Sequence, residues 1–347
     1  MRKLDTIFFN VTEACNLRCS FCYANAKQSN NSDSRKNELS LSEIGILAAE
    51  GKELGADRVN LSGGEVFLRR DWIDIFKIFD SLDYSIEFSS NGTLINREIA
   101  SELGRHSNVG FLISLDGDRE KHELIRGVPG CFDKTVKAIQ ILQEMQVPCQ
   151  INTVINKINY SSIPFLTRFS RDYAVSLRLT LLNCSTGRGK ESKNNALDTE
   201  QIVNLIKYCH EVRLRGSRLF LNLPPMMLPP EDIIPIGNPS CGWANGLCGV
   251  FSNGNVSVCA LAGEHPELVA GNIRECSFKD IWLNSVLFNE LRKLKSQDLT
   301  GVCGICRLRE ICGGACRLAA YMSSNSFLGP CSICQEFYDK GLIDFNS

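Results

Sequence analysis

Cys15-Asn16-Leu17-Arg18-Cys19-Ser20-Phe21-Cys22-Tyr23 places three thiols within eight residues, at C-x3-C-x2-C spacing. Three Cys ligands can hold three irons of a 4Fe–4S cubane and leave the fourth iron without a protein ligand. An open iron can chelate a small molecule and pass it an electron. A structural zinc knuckle or unrelated buried thiols are the plainer readings. Zinc usually takes a fourth Cys or His close by, and none follows here.

Immediately before this stretch, Thr6 to Val11 is a short apolar run of the kind a buried parallel strand presents. Beyond it, helix and strand patterns alternate. Helical spacing is predicted at 41–54, with Ser40 or Ser42 as N-cap, and at 71–82, 95–103, 132–145, 163–173 and 199–215. Strands are predicted at 58–62, 84–89, 109–115, 150–155 and 176–182. Six strand–helix alternations predict an α/β fold, a parallel sheet with right-handed crossovers. Function in such sheets gathers at the carboxyl ends of the strands. The polar features fall there: the Cys loop after strand one, Gly63-Gly64-Glu65 after strand two, Ser89-Ser90-Asn91-Gly92 after strand three. Ser114-Leu115-Asp116-Gly117 ends strand four, Asn152-Thr153 lies in strand five and Asn183-Cys184 follows strand six.

Gly187 to Ala196 reads as a polar loop. The run Leu223-Pro224-Pro225-Met226-Met227-Leu228-Pro229-Pro230, continued by Pro235 and Pro239, reads as a linker. The expected organisation is a core at 1–220, a linker at 221–240 and a smaller domain at 241–347. The 347 residues suit one large domain and a small one. No run approaches the roughly 18 apolar residues of a membrane span. Met1-Arg2-Lys3-Leu4-Asp5 has no apolar segment behind it, so no secretory signal and a cytoplasmic location are expected. A net charge of -1 argues against general attraction to nucleic acid or anionic lipid.

Seventeen Cys in such a chain are not expected to form a disulfide framework. Ten of them fall between 241 and 334, which reads as metal ligation. Cys241 and Cys248 precede Gly254-Asn-Val-Ser-Val-Cys259, within which a hairpin turn is predicted. Cys303, Cys306, Cys312 and Cys316 follow at C-x2-C-x5-C-x3-C, then Cys331 and Cys334. On chemistry alone zinc ribbons remain open here.

The N-terminal spacing resembles the signature of the radical S-adenosylmethionine (SAM) superfamily. The second Cys field resembles that superfamily's SPASM extension. The resemblance covers about residues 5 to 338. It implies a partial (β/α)6 TIM-type barrel with a small iron–sulfur SPASM domain, S-adenosylmethionine and three 4Fe–4S clusters. Cys15, Cys19 and Cys22 match the ligands of the cluster that makes a 5′-deoxyadenosyl radical. Cys241, Cys248, Cys259 and Cys316 match the first auxiliary cluster. Cys303, Cys306, Cys312 and Cys334 match the second, with Cys331 competing for the place of Cys334. Cys276 has no place in the pattern and is expected to be a buried thiol.

For S-adenosylmethionine the resemblance implies Gly63, Gly64 and Glu65 at the ammonium, where the motif's usual proline is Val66. Ser90 and Asn91 match the ribose contact, with a Ser-Asn-Gly turn as the alternative. Ser114 and Arg126 match the carboxylate contact, with a surface ion pair as the alternative for Arg126. Phe21 would flank adenine. On the substrate side Asp116 is the catalytic candidate, against an ordinary Asp-Gly turn. Asn152, Asn183 and Cys184 either face the cavity or pack. The four His receive no role. Arg213, Arg215 and Arg218 either complement a helix dipole or anchor an acidic peptide.

Three functions compete. The first is maturation of a peptide, by crosslinking or side-chain oxidation. With 14 residues before Cys15, it would need a separate peptide-recognition protein or direct leader binding. The second is a haem-pathway enzyme acting on a tetrapyrrole side chain, which a basic pocket for propionates would support. The third is a non-enzymatic electron carrier, for which the Gly63-Gly64-Glu65 rim has no use. Either enzyme needs an external flavodoxin- or ferredoxin-like electron donor.

Overall fold

Strand β1 (Thr6–Asn10) occupies the middle of the main sheet, paired in parallel on both sides. The computed structural model describes residues 2–29, 35, 37–233 and 241–343. β1 alternates strictly. Ile7 and Phe9 have no exposed surface and face the helices, while Phe8 and Asn10 face the opposite, concave side.

From β1 the sheet runs in one direction through β2 (Arg58–Ser62), β3 (Ser85–Ser90), β4 (Val109–Ser114), β5 (Cys149–Ile155), β6 (Ser176–Leu181) and β7 (Leu219–Asn222), all parallel. The crossovers carry α1 (Leu41–Glu53), α2 (Trp72–Asp80), α3 (Arg97–Leu103), α4 (Arg119–Arg126), α5 (Cys131–Glu144), α6 (Ile163–Asp172) and α7 (Thr199–Leu214). Helix starts follow sequence chemistry. Ser40 and Glu43 form a capping box on α1, and Asp198 and Gln201 form another on α7.

On the other side of β1 lies β8 (Leu247–Phe251), parallel to it, with Thr6 opposite Leu247 and Asn10 opposite Phe251. Antiparallel β9 (Asn255–Ser257) and β10 (Val269–Asn272) complete a ten-stranded sheet. The fold is thus an α/β partial barrel whose C-terminal region continues the same sheet. The C-terminal helix Phe278–Asn284 packs on α1, and the buried Trp282 indole donates to the Arg2 carbonyl at 3.1 Å.

Five expectations need correction. α4 was not expected, because it buries only His122, Ile125 and Arg126 and shows no apolar stripe. β7 was not expected either, because the prolines after it masked a four-residue strand; the anticipated boundary at 220 falls inside it. Of the anticipated linker, 234–240 lies outside the described residues, and Pro225–Met227 and Pro230–Ile233 form short helical turns. Cys276 is exposed, not buried. Arg213 pairs with Asp232 at 2.9 Å rather than simply capping α7. Among the described residues no helix is long and apolar enough to cross a membrane.

Candidate active site

The loop after β1 folds back so that Ala14-Cys15 pairs with Lys27-Gln28. Within it Cys15, Cys19 and Cys22 face one another; the first two are buried and the third half-buried. Burial pushes the Cys15 thiol up to about 12, against the Leu17 N–H that donates to its sulfur at 3.4 Å. Thiols so buried need a positive partner to ionise. Arg126 is that partner, its Nη1 donating to Cys19 Sγ at 3.5 Å.

Arg126 is itself held by Asp116, to which its Nε donates at 2.6 Å. Burial opposes the guanidinium's charge, but Asp116 and Cys19 more than hold it, so Arg126 stays protonated. Its guanidinium carbon lies 5.8 Å from the centre of the Phe21 ring. Asp116 has no exposed surface. Its other oxygen accepts the Val154 N–H at 3.1 Å, and its carbonyl accepts from Asn159 at 2.8 Å. Asp116 therefore does not reach the rim as a catalytic group. It positions Arg126, and the surface ion pair weighed for Arg126 is replaced by a buried one.

Gly63 and Gly64 lie directly on the cluster loop. A Cβ at either would overlap the Thr12 or Ala14 carbonyl. Glu65 turns inward: its carboxylate accepts from Ser90 Oγ at 2.8 Å, the Asn91 N–H at 2.9 Å and the Phe67 N–H at 3.4 Å. Burial still pushes it up to about 7. Ser90 is thus committed to Glu65. The Asn91 amide donates to Asn16 Oδ1 at 3.0 Å, tying the loop after β3 to the cluster loop. Ser114, half-buried at the end of β4, sits opposite Asn152 and faces the concave side.

Sequence reasoning missed two clamps. Arg188 Nε donates to the Cys19 carbonyl at 2.8 Å and its backbone N–H to the Cys22 carbonyl at 3.0 Å; Ser192 Oγ donates to the Ser20 carbonyl at 2.8 Å. Gly187 has φ +51°, and a Cβ there would overlap the Cys22 carbonyl. The glycine pair around Arg188 was the available signal. Arg69, buried, donates to the Val11 and Leu39 carbonyls and pairs with Asp71 at 2.7 Å; nothing in its sequence context marked it.

The C-terminal thiols form two groups. Cys241, Cys259 and Cys316 face one another. Cys303, Cys312, Cys331 and Cys334 form the other, with Cys306 beside Cys303. Gly313, Gly314 and Ala315 all have positive φ, at 60°, 78° and 58°. This left-handed run turns the chain so that Cys316 leaves the Cys312 group. Cys248, expected with the first group, stands apart, fully buried beside Arg292 and Tyr84. Between the groups lies Arg317, which lowers thiols of both and holds the Gly314, Phe327 and Gly329 carbonyls. Its Nε is buried with no hydrogen-bond partner. The tyrosine next to the N-terminal thiols connects the two ends of the chain. Tyr23 Oη is 3.1 Å from Ser62 Oγ and faces both Cys22 and Cys259.

The radical SAM superfamily matches residues 9–169, and the SPASM iron–sulfur cluster-binding domain matches residues 241–307. The chain is a radical SAM enzyme with a SPASM region. It is 28% identical over 337 residues to an AdoMet-dependent heme synthase of Methanosarcina barkeri, covering 93% of each chain. It is 29% identical over 351 residues to the mycofactocin maturase MftC of Mycobacterium tuberculosis, covering 98% of this chain and 85% of that one. Streptococcus suis SuiB, solved bound to its precursor peptide SuiA, shares the fold at TM-score 0.77 and 19% identity, over 96% of this chain and 76% of that one.

The radical SAM enzyme's residues fit these groups. The three N-terminal thiols sit on the loop that Gly63 and Gly64 touch and have a cation at Cys19. The unpartnered Arg317 N–H lies where sulfide or thiolate acceptors would satisfy it. Among the described residues no three His, Cys, Asp or Glu side chains are gathered for a single metal ion.

Proposed function

We propose that this enzyme modifies a peptide by abstracting hydrogen from one of its C–H bonds. Cys15, Cys19 and Cys22 hold the cluster that works on S-adenosylmethionine, and the C-terminal thiols hold two auxiliary clusters. Bound there, cluster and cofactor supply one-electron cleavage of the sulfonium and a carbon radical strong enough to take that hydrogen. The chain's own part is positional. Arg126 favours the Cys19 thiolate against the burial that opposes it, Arg188 and Arg69 fix the loop, and Gly63-Gly64 offer backbone carbonyls to the cofactor's ammonium. Ser114 offers a hydroxyl to its carboxylate.

The observation that carries the peptide reading is the concave wall. Its inward positions include Asn60, Glu87, Ser89, Gln150, Asn152 and Thr180. Asn60 donates to Glu87 at 2.6 Å and to Ser89 at 3.0 Å. Amides and hydroxyls of this kind match a peptide backbone, which needs both donors and acceptors. A tetrapyrrole's propionates would need cations. Among the described residues this stretch of wall offers Arg178, beside Asn152, and sets the Glu87 carboxylate against them. The relatives divide between heme synthesis and peptide maturation, and the wall favours the second.

Reduced, reconstituted enzyme with S-adenosylmethionine and candidate peptides should yield 5′-deoxyadenosine together with a peptide mass change. A mass loss from an iron tetrapyrrole, with every peptide unchanged, would refute the reading.

A further inference from the structure

The C-terminal thiols divide three and five, not four and four. Cys248 lies in β8 opposite Ile7 of β1, and the two share a face of the sheet. Ile7 packs against Gly51 of α1, where a Cβ would come within 2.7 Å of its Cδ1. The Cys248 thiol therefore lies in the layer between sheet and helices. There its charged neighbour is Arg292, whose Nη2 has no hydrogen-bond partner.

The other face of β8 points to the first thiol group. After β9 the chain folds back across the concave side, and the Asn10 amide donates to the Ala260 carbonyl at 3.4 Å. Gly249 meets this returning chain: a Cβ there would lie 2.5 Å from the carbonyl carbon of Cys259. Cys248 and Cys259 thus sit on opposite faces of one strand. Bringing Cys248 across requires a one-residue slip of β8, which would also drive Val250 out of the core and a side chain into Cys259.

Cys331 is the other thiol near Cys316. It is committed elsewhere: its N–H donates to Cys303 Sγ at 3.2 Å, and its thiol is hydrogen-bonded to that of Cys334.

We propose that the first auxiliary site is built from Cys241, Cys259 and Cys316 alone, that Cys248 is a core thiol, and that the site's fourth iron is open to an anionic donor from outside the chain. This rests on the two-auxiliary-cluster reading above. Of its three ligands, Cys259 is carried by the chain that returns across the concave side of the sheet, so a donor reaching that side would be the candidate to complete the site.

The test is iron content and spectroscopy. After anaerobic reconstitution, Cys248→Ala should match wild type in iron and in its reduced EPR spectrum. Cys259→Ala should lose about four irons per chain. A folded Cys248→Ala that loses iron as Cys259→Ala does would overturn the assignment. Should the alanine variant not fold, Cys248→Ser is read the same way, since an oxygen ligand would shift the auxiliary signal. The open iron is probed with cyanide in Cys15→Ala/Cys19→Ala/Cys22→Ala, which lacks the N-terminal site. A perturbed auxiliary signal is expected, and an unchanged one overturns the open position. A wild-type content near eight irons instead of about twelve would instead count against the two-cluster reading. The comparison of Cys248 with Cys259 would still stand.

Discussion

Breaking the Asp116–Arg126 pair separates a positioning role from mere core filling. Asp116 has no exposed surface, Arg126 is 8% exposed, and they meet at 2.6 Å. Asp116→Ala leaves a buried guanidinium without its counter-ion, which costs about 3–5 kcal/mol. It also orphans the Val154 N–H, worth about 1–3 kcal/mol. One carboxylate serves both, so these do not add, and a loss of about 4 kcal/mol is expected. Arg126→Met strands the carboxylate instead and should cost a similar amount. The double variant buries neither charge and should recover about 2 kcal/mol relative to the sum of the singles. Urea midpoints of the anaerobic apo-protein, at unchanged slope, measure the cycle without the clusters. Additivity within about 0.5 kcal/mol would refute the pairing. The functional arm is separate. Arg126→Met and the double variant should both form much less 5′-deoxyadenosine, because Cys19 has lost its donor in each. Normal cleavage in Arg126→Met would show that the guanidinium does not serve Cys19.

Arg188→Ala removes the bond from Nε to the Cys19 carbonyl and should lower N-terminal iron occupancy and cleavage together, read by iron count and 5′-deoxyadenosine yield. Gly249→Ala forces a methyl against the Cys259 backbone. It should destabilise by about 1–3 kcal/mol and reduce auxiliary iron while sparing cleavage. Glu43, at the start of α1, is held down to about 2 chiefly by its hydrogen bond from Arg274, beyond β10. Its folded pKa lies below the unfolded one, so its contribution is full above about 4.5 and fades as pH falls toward about 2. The pair is partly exposed, 31% at Glu43 and 37% at Arg274. Glu43→Gln should therefore cost only about 0.5 kcal/mol at pH 7. Apo-protein urea midpoints compared at pH 7 and pH 3 should show that difference shrinking.

The parallel core was legible because its strands are short apolar runs and its helices carry stripes of period 3.6. Every expected strand appeared within a residue or two of its place. α4 escaped because its buried residues include His122 and Arg126, which no hydrophobic pattern reports. The cysteines were legible as chemistry, since a local spacing constrains what a short loop can hold. Their grouping was not. Cys316 is steered by the left-handed run Gly313-Gly314-Ala315, and Ala315 gives no hint of its φ of 58°. Cys248 is decided by which face of β8 it occupies, and that depends on pairing with a strand some 240 residues earlier. The buried role of Asp116 and the partners of Glu65 were hidden for a related reason. A carboxylate at a strand end reads as available, and only packing shows that its oxygens already have partners.

The placement of β8 has a mechanical consequence. The N-terminal thiols hang from β1, and Cys259 lies against Gly249 of β8, the strand hydrogen-bonded to β1 in register from Thr6 to Asn10. Neighbouring strands are held about 4.8 Å apart, and shifting them means breaking a ladder rather than flexing a hinge. Two domains joined only by a proline-rich linker could move apart, and the spacing of their redox sites would vary with them. Here the spacing is set by one sheet, and Tyr23 faces both Cys22 and Cys259 across it. An open iron at the first auxiliary site would therefore keep a constant position relative to the place where hydrogen is abstracted. A substrate atom bound to that iron would be aligned by the sheet itself, so substrate binding need not close two domains. This makes auxiliary-iron occupancy a determinant of which C–H bond reacts as well as of whether turnover occurs. Cys259→Ala, supplied with substrate, should scatter or abolish the site of modification while 5′-deoxyadenosine continues to form, read by tandem mass spectrometry of the product. Unchanged regiochemistry in that variant would show that the auxiliary site serves electron transfer alone.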